Sequence, residues 1–215
     1  MTGDLSRRSA RVSSQTERAP GIAALDALAG DLALRAGARL GVAHTVRELQ
    51  AVFKLRYEHV VRQGWAGAEE LPGGLERDAD DARALQLGAW RGTALVGTIR
   101  LVLPVPGRRL PTEAAYDLEI EPRGEVVDVG RLLIGAPYRG DPAHRLWGGL
   151  FALAWQETRA RGYTVLAGVS SAREVETYRS LGLAFEVLGP ARPYWGAERH
   201  PVRLDPAAGE RPGWF

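Results

Sequence analysis

The chain has 215 residues, and its 45% hydrophobic content is enough to build one substantial core. It contains no cysteine, which excludes disulfides, thiolate metal sites and cysteine nucleophiles. Its 28 basic residues nearly balance 26 acids, and a net charge of +2 is too weak for a nucleic-acid footprint.

His44, His59, His144 and His200 lie far apart and form no His-x-x-x-His pair, so no metal site is expected. No apolar run reaches the length of a membrane span, and the N-terminus lacks the apolar region of a signal peptide. The expectation is a soluble, cytoplasmic protein.

Met1 to Pro20 is rich in Arg, Ser and Thr and reads as a flexible extension. Ile22, Leu25, Leu28, Ala29 and Leu32 recur at helical spacing and predict a helix ending near Gly37. The domain divides accordingly into an N-terminal extension (1–37), a main domain (38–205) and a tail (206–215). A brief strand is expected over Arg39 to Ala43. Thr45-x-x-Glu48 is a capping box, followed by Leu49, Val52, Phe53, Tyr57, Val60 and Val61 on one helical face as far as Gly64. Trp65 to Gly74 reads as a loop.

From Ala82 the pattern becomes that of strands: Ala82 to Trp90, a turn at Arg91-Gly92, then Ala94 to Pro104. A proline-rich connection leads to a further strand, Val126 to Gly135. Asp141-Pro142 opens a long helix that runs to Gly162. Tyr163 to Val169 is expected as strand, Ala172 to Leu181 as helix, and Phe185 to Leu188 and Arg199 to Leu204 as strands. Hairpin strands followed by alternating helix and strand predict an α+β fold, with one central, mixed, mostly antiparallel sheet and helices on both faces.

Charges recur inside this framework at Glu76-x-Asp78-x-x-Asp81, at Arg100 within an apolar strand, and at Asp128-x-x-Arg131. Buried charges persist when they are paired or used in chemistry, so these segments are expected to share one polar site with Arg56. Asp128 and Arg131 are three apart and point to opposite faces of a regular strand, unless a bulge shifts the register. Asp128 is either a base or amine-positioning group, or the partner of Arg100 or Arg56 in a scaffold ion pair.

The element order and three stretches, Thr45 to Glu58, Ala136 to Gly140 and Glu176 to Leu183, resemble the GNAT acyltransferase superfamily from about Arg39 to Leu204. Within it the chain looks most like the autoinducer synthases, the long-chain N-acyl amino acid synthases and the exosortase-associated acyltransferases. Arg56, Trp65, Glu76, Asp78, Asp81, Arg100, Asp128 and Arg131 match positions of that group. Two departures stand beside the reaction centre: Asp128 where autoinducer synthases usually have Glu, and Gly130 in place of their usual Ser.

The resemblance implies an N-acyltransferase that moves an acyl group from acyl carrier protein or acyl-CoA, used as a co-substrate, to a primary amine such as an amino acid. Asp128, Arg131 and Tyr178 are then the catalytic candidates, with Arg131 holding the Asp128 carboxylate ionised and Tyr178 protonating the departing thiolate. Arg56, Trp65, Asp78, Asp81 and Arg100 are candidates for the substrate site, and Glu76 is a weaker one. Backbone groups of Leu132, Leu133 and Ile134 would face the thioester carbonyl, and Arg139, Gly140 and Arg145 would meet the donor's phosphate or an acidic carrier surface. The scarcity of glycine after Arg139 favours the carrier protein as donor. An ordinary acetyl-CoA-dependent N-acetyltransferase and a non-catalytic acyl- or carrier-binding module remain as alternatives.

Overall fold

The capping box closes as its spacing predicts: Thr45 Oγ1 accepts from the backbone N–H of Glu48 at 3.2 Å, and the Glu48 carboxylate accepts from the N–H of Thr45 at 3.1 Å. It starts helix α2 (Val46–Arg62) in the structure, a computed structural model that describes residues 20–180, 183 and 185–208. Residues 1–19 of the flexible extension expected over Met1 to Pro20, the end of the tail, and Leu181 of the helix expected over Ala172 to Leu181 lie outside the described residues. Ahead of α2 come helix α1 (Pro20–Arg35) and strand β1 (Arg39–Val42).

Three antiparallel strands follow in sequence and in space: β2 (Ala84–Arg91), β3 (Ala94–Val102) and β4 (Val126–Ile134). β2 begins later than Ala82 because residues 79–83 form a 3-10 turn capped by the Asp78 side chain. The connection between β3 and β4 holds a short helix, α3 (Pro111–Tyr116). Helix α4 (Asp141–Ala160) is the crossover that lets β5 (Val165–Ser170) lie parallel to β4. Helix α5 (Ala172–Ser180), β6 (Glu186–Val187), β7 (Arg192–Tyr194) and β8 (Ala197–Leu204) complete the chain. The sheet order is β1-β2-β3-β4-β5-β8-β6, with β7 pairing the first part of β8. Among the described residues only β4 and β5 pair in parallel, so the sheet is mixed and mostly antiparallel.

Period-two alternation divides the two faces of the sheet. Leu87, Ile99, Leu101, Val127 and Leu166 join Leu146, Leu150 and Trp155 of α4 in the main core. Helix α1 belongs to that core: Leu25 and Ala29 are buried in it, and the Trp155 indole N–H donates to Asp26 at 2.8 Å. The alternate positions Gln86, Arg100 and Asp128 lie on the other face, where α2 turns a buried stripe of Val52, Arg56 and Val60 toward the sheet. Among the described residues, no helix is long and apolar enough to cross a membrane.

Candidate active site

Arg56 interrupts the apolar stripe of α2 and is wholly buried. A lone guanidinium there would be prohibitive, and it is met from every side. Its Nε donates to Glu76, and Nη1 and Nη2 grip both oxygens of Asp81 at 2.8 and 3.1 Å. Arg100, on β3, donates from Nη1 to Asp78 at 2.7 Å and to Asp81 at 2.9 Å. Arg131, on β4, donates from Nη2 to Glu76 at 3.1 Å and to Asp78 at 3.0 Å. The partners close a ring of alternating charge: Arg56, Glu76, Arg131, Asp78, Arg100, Asp81 and back to Arg56.

Glu76, expected to be the weak member, is 2% exposed and joins two arginines. Asp78 and Asp81 are committed to arginines rather than left free for an amine. Burial pushes the Asp81 carboxyl up, yet hydrogen bonds from Arg56 and Arg100 outweigh it and hold the carboxyl far below the usual range.

Asp128 stands outside the ring. It is 4% exposed, and its Oδ2 accepts from the backbone N–H of Thr112 in α3 at 2.8 Å. The ion pair with Arg100 or Arg56, the alternative to a role in catalysis, is not formed among the described residues, and Arg131, expected to hold the carboxylate ionised, is occupied by Glu76 and Asp78. Burial therefore dominates and pushes the Asp128 carboxyl up to about 6, against the hydrogen bonds from Thr112 and the charge of Arg100.

A bulge brings Asp128 and Arg131 to one cavity. Thr98 is opposite Leu133 and Arg100 opposite Gly130, so Arg131 and Leu132 together face the single residue Ile99, and Arg131 takes a left-handed φ of 54°. Pairing between β4 and β5 ends at Val129 and Gly168, although β4 runs on to Ile134. At Gly168 a Cβ would come 2.6 Å from the Val129 carbonyl, so only glycine permits the last close approach before the strands part. Beyond that fork Leu132, Leu133 and Ile134 have no β5 partner, and they line a cavity of about 430 Å³ together with Asp128, Arg100 and Arg131. Its apolar end is walled by Trp147, Phe151, Tyr178 and Phe185.

Tyr178 stacks on Trp147 with ring centres 5.1 Å apart, and burial pushes its hydroxyl up to about 12. Trp65 lines the other end, tilted against His59 at 5.3 Å and edge-on to Trp195 at 6.3 Å. His59 Nδ1 lies 3.3 Å from Arg139, and burial, reinforced by the charge of Arg139, pulls its imidazole down to about 4. Arg139 lines the cavity, whereas Gly140 and Arg145 do not, and Arg145 is exposed on α4. Thr112, His59 and Trp195 were absent from the sequence-derived site. Trp195-Gly196 was the available signal for the last, as a two-residue hairpin turn, but Asn or Asp usually precedes glycine there. Among the described residues, no group of three or more His, Asp or Glu side chains is arranged to hold a metal ion.

Solved structures with the same fold include the CoA-dependent acyl-homoserine lactone synthase MesI (24% identity, TM-score 0.62, covering 74% of this chain and 82% of that one). FeeM, an N-acyl amino acid synthase from uncultured soil microbes, superposes at TM-score 0.59 with 20% identity over 80% of this chain and 91% of its own. An acyl-CoA N-acyltransferase from Pseudomonas aeruginosa does so at 0.55 with 20% identity, over 78% and 99%. No curated protein sequence matches the chain. The sequence model for "N-acyl amino acid synthase FeeM" matches residues 51–204, a span that holds the charged ring, Asp128 and the fork. The chain therefore belongs to the N-acyl amino acid synthase FeeM family and is an N-acyltransferase.

Proposed function

We propose that the chain joins a medium or long acyl group, delivered as a thioester of acyl carrier protein or coenzyme A, to the amine of an amino acid or a precursor derived from one. The observation that carries this reading is the fork between β4 and β5, which opens an apolar cavity beside a buried carboxylate that has no ion-pair partner among the described residues.

In this reading the acyl chain lies toward Trp147, Phe151 and Phe185, with its carbonyl at the fork. Asp128 takes a proton from the ammonium, directly or through water, and the neutral nitrogen bonds to the thioester carbon. Backbone N–H groups of Leu132, Leu133 or Ile134 stabilise the oxyanion. The C–S bond then breaks, the sulfur takes a proton from Tyr178, the second proton of the nitrogen passes through water to the tyrosinate so formed, and amide and thiol leave. Arg56, Arg100 and Arg131 with their acids form the wall of the amine side, and Trp65 covers it. Arg139, beside the cavity, supports contact with a donor phosphate. Arg145 has no such support. No tightly bound cofactor or metal enters the reaction, and the thioester donors make the cytoplasm its compartment.

The test is kcat/KM for acetyl-CoA, long-chain acyl-CoA and acyl carrier protein thioesters against a panel of amino acids. Long-chain or carrier-bound donors should be preferred. Preference for acetyl-CoA would make the chain an ordinary acetyltransferase, and binding without turnover of any thioester would make it a carrier-binding module.

A further inference from the structure

Among the described residues Asp128 takes its hydrogen bonds from one residue. The backbone N–H of Thr112 donates to its Oδ2 at 2.8 Å, and the Thr112 side chain adds a second bond to the same carboxyl. Both residues are buried, Thr112 at 2% exposure and Asp128 at 4%, so water does not readily stand in for either partner. The dependence runs both ways. Leu110, the residue ahead of α3, has no side-chain acceptor to offer, so the Thr112 N–H, one of the helix's unpaired first donors, is satisfied by Asp128.

A helix of six residues has little stability of its own, and α3 is held by what surrounds it. The Glu113 carboxylate accepts from the N–H of Leu110 at 2.8 Å and from that of Ile120 at 2.9 Å, which ties the first turn to the chain beyond the helix. Arg109 donates to the carbonyls of Glu113 and Leu118 at 2.8 and 3.0 Å, and its own carbonyl accepts from Arg83 at 2.6 Å. Leu110 and Ile120 are buried in one apolar cluster with Val126 and Val165. The Tyr116 hydroxyl donates to the Arg199 carbonyl on β8 at 2.6 Å. Thr112 is thereby fixed against β4, and it lines the cavity beside Asp128.

We infer that Thr112 is the positioning residue of the base: its N–H sets the orientation of the Asp128 carboxylate in the cavity, and its hydroxyl stabilises the charge which that carboxylate needs in order to take a proton from the amine. This rests on the acyltransfer reading above, in which Asp128 is the base. Hydrogen bonds to a carboxylate favour its ionised form, and they oppose the burial that pushes Asp128 up to about 6. Two charges act on Asp128 through space, Arg100 on β3 in favour of ionisation and Asp80, ahead of β2, against it. Its strand neighbours, Val102 on β3 and Ala167 on β5, are uncharged. A change confined to the Thr112 hydroxyl leaves all of these in place.

The test replaces Thr112 by valine, which keeps the shape and the backbone N–H but not the hydroxyl, and by serine, which keeps the hydroxyl. Two quantities are measured: the pH profile of kcat/KM with a long-chain donor, and, without substrates, the carbon NMR titration of the Asp128 carboxyl, assigned by its loss in Asp128→Asn. Thr112→Val should move the rising limb and the NMR midpoint upward by about one pH unit, and Thr112→Ser should keep both at the parental position. With that shift kcat/KM falls about fivefold at pH 6 but less than about twofold at pH 8, where the base is ionised in either protein. An equal loss at every pH, or an NMR midpoint that stays in place, would overturn the inference and leave Thr112 a packing residue. Should the valine variant not fold, Thr112→Ala must move the midpoint in the same direction for the inference to stand. If no acceptor turns over, acyl transfer itself fails, and the NMR titration decides separately: a raised midpoint in Thr112→Val supports the role of Thr112 toward Asp128, and an unmoved one overturns it.

Discussion

The guanidinium of Arg131 lies 4.2 Å above the ring of Trp195, and both residues hold left-handed backbone, with φ of 54° and 50°. One sits in the β4 bulge and the other at the tip of the β7–β8 hairpin, so two locally unfavourable conformations meet in one stack at the edge of the cavity. Gly196, the second turn residue, lies so close to Trp65 that a Cβ would run into the indole. The hairpin tip is thus pinned between Trp65 and Arg131.

Trp195→Asn separates fold from function at this tip. Asparagine relieves a left-handed cost of about 1–2 kcal/mol, while loss of the cation–π contact removes about 0.5–1 kcal/mol. Urea denaturation should therefore show a stability change within about 1 kcal/mol of the parent. The KM for the amine should nevertheless rise about tenfold, since the outer wall of its site is gone. Unchanged kinetics would reduce Trp195 to a packing residue.

Some of this site was legible before the structure. The helix that carries Arg56 followed from Thr45, Glu48 and the apolar spacing behind them, and the hairpin that carries Arg100 from alternation and a turn. The condition that only a bulge could bring Asp128 and Arg131 together was also readable, because strand periodicity is fixed. Which arginine meets which acid was not. Three of each admit many pairings, and the choice depends on side-chain reach across α2, β3 and β4. Thr112 was hidden because α3 is six residues long, too short to show a helical period. The β7–β8 turn was hidden because Trp195 occupies a position where the usual signal is Asn or Asp.

Glu76, the least exposed acid of the ring, joins Arg56 to Arg131. Glu76→Ala leaves a buried guanidinium without its partner and should cost about 3–5 kcal/mol in urea denaturation. Glu76→Gln keeps an acceptor but not the charge and should fall between the two. Replacing both members, Arg56→Met with Glu76→Leu, should recover most of the loss, because a buried pair differs little in net stability from apolar side chains of similar size. If the double variant is as unstable as Glu76→Ala, the remaining ring cannot close without Arg56.

Tyr178→Phe keeps the ring that packs on Trp147 and Phe185 and removes only the hydroxyl. Burial keeps that hydroxyl protonated to about 12, so it is available as a donor across the working pH range. If it protonates the departing thiolate, kcat should fall about tenfold or more with KM little changed, as for an interaction made in the transition state. A variant with parental kcat would leave Tyr178 as a wall of the acyl cavity.

Asp128→Asn should stabilise the fold and disable the enzyme, in opposite directions and with different dependence on pH. The carboxyl lies at about 6 in the folded chain against an ordinary 3.8, because burial disfavours its charge. Between those values the folded chain holds more protons than the unfolded one, so stability falls as pH rises through the window and stays low above it. The shift corresponds to about 3 kcal/mol. Asparagine remains neutral and can still accept from the Thr112 N–H, so the variant should match the parent in urea denaturation below pH 4 and exceed it by roughly that amount above pH 7. Its kcat should drop on the order of a hundredfold or more, and the rising limb near pH 6 in the parent's kcat/KM profile should disappear. A variant that is less stable at pH 8 yet turns over normally would make Asp128 a structural anchor for α3 and remove it from the chemistry.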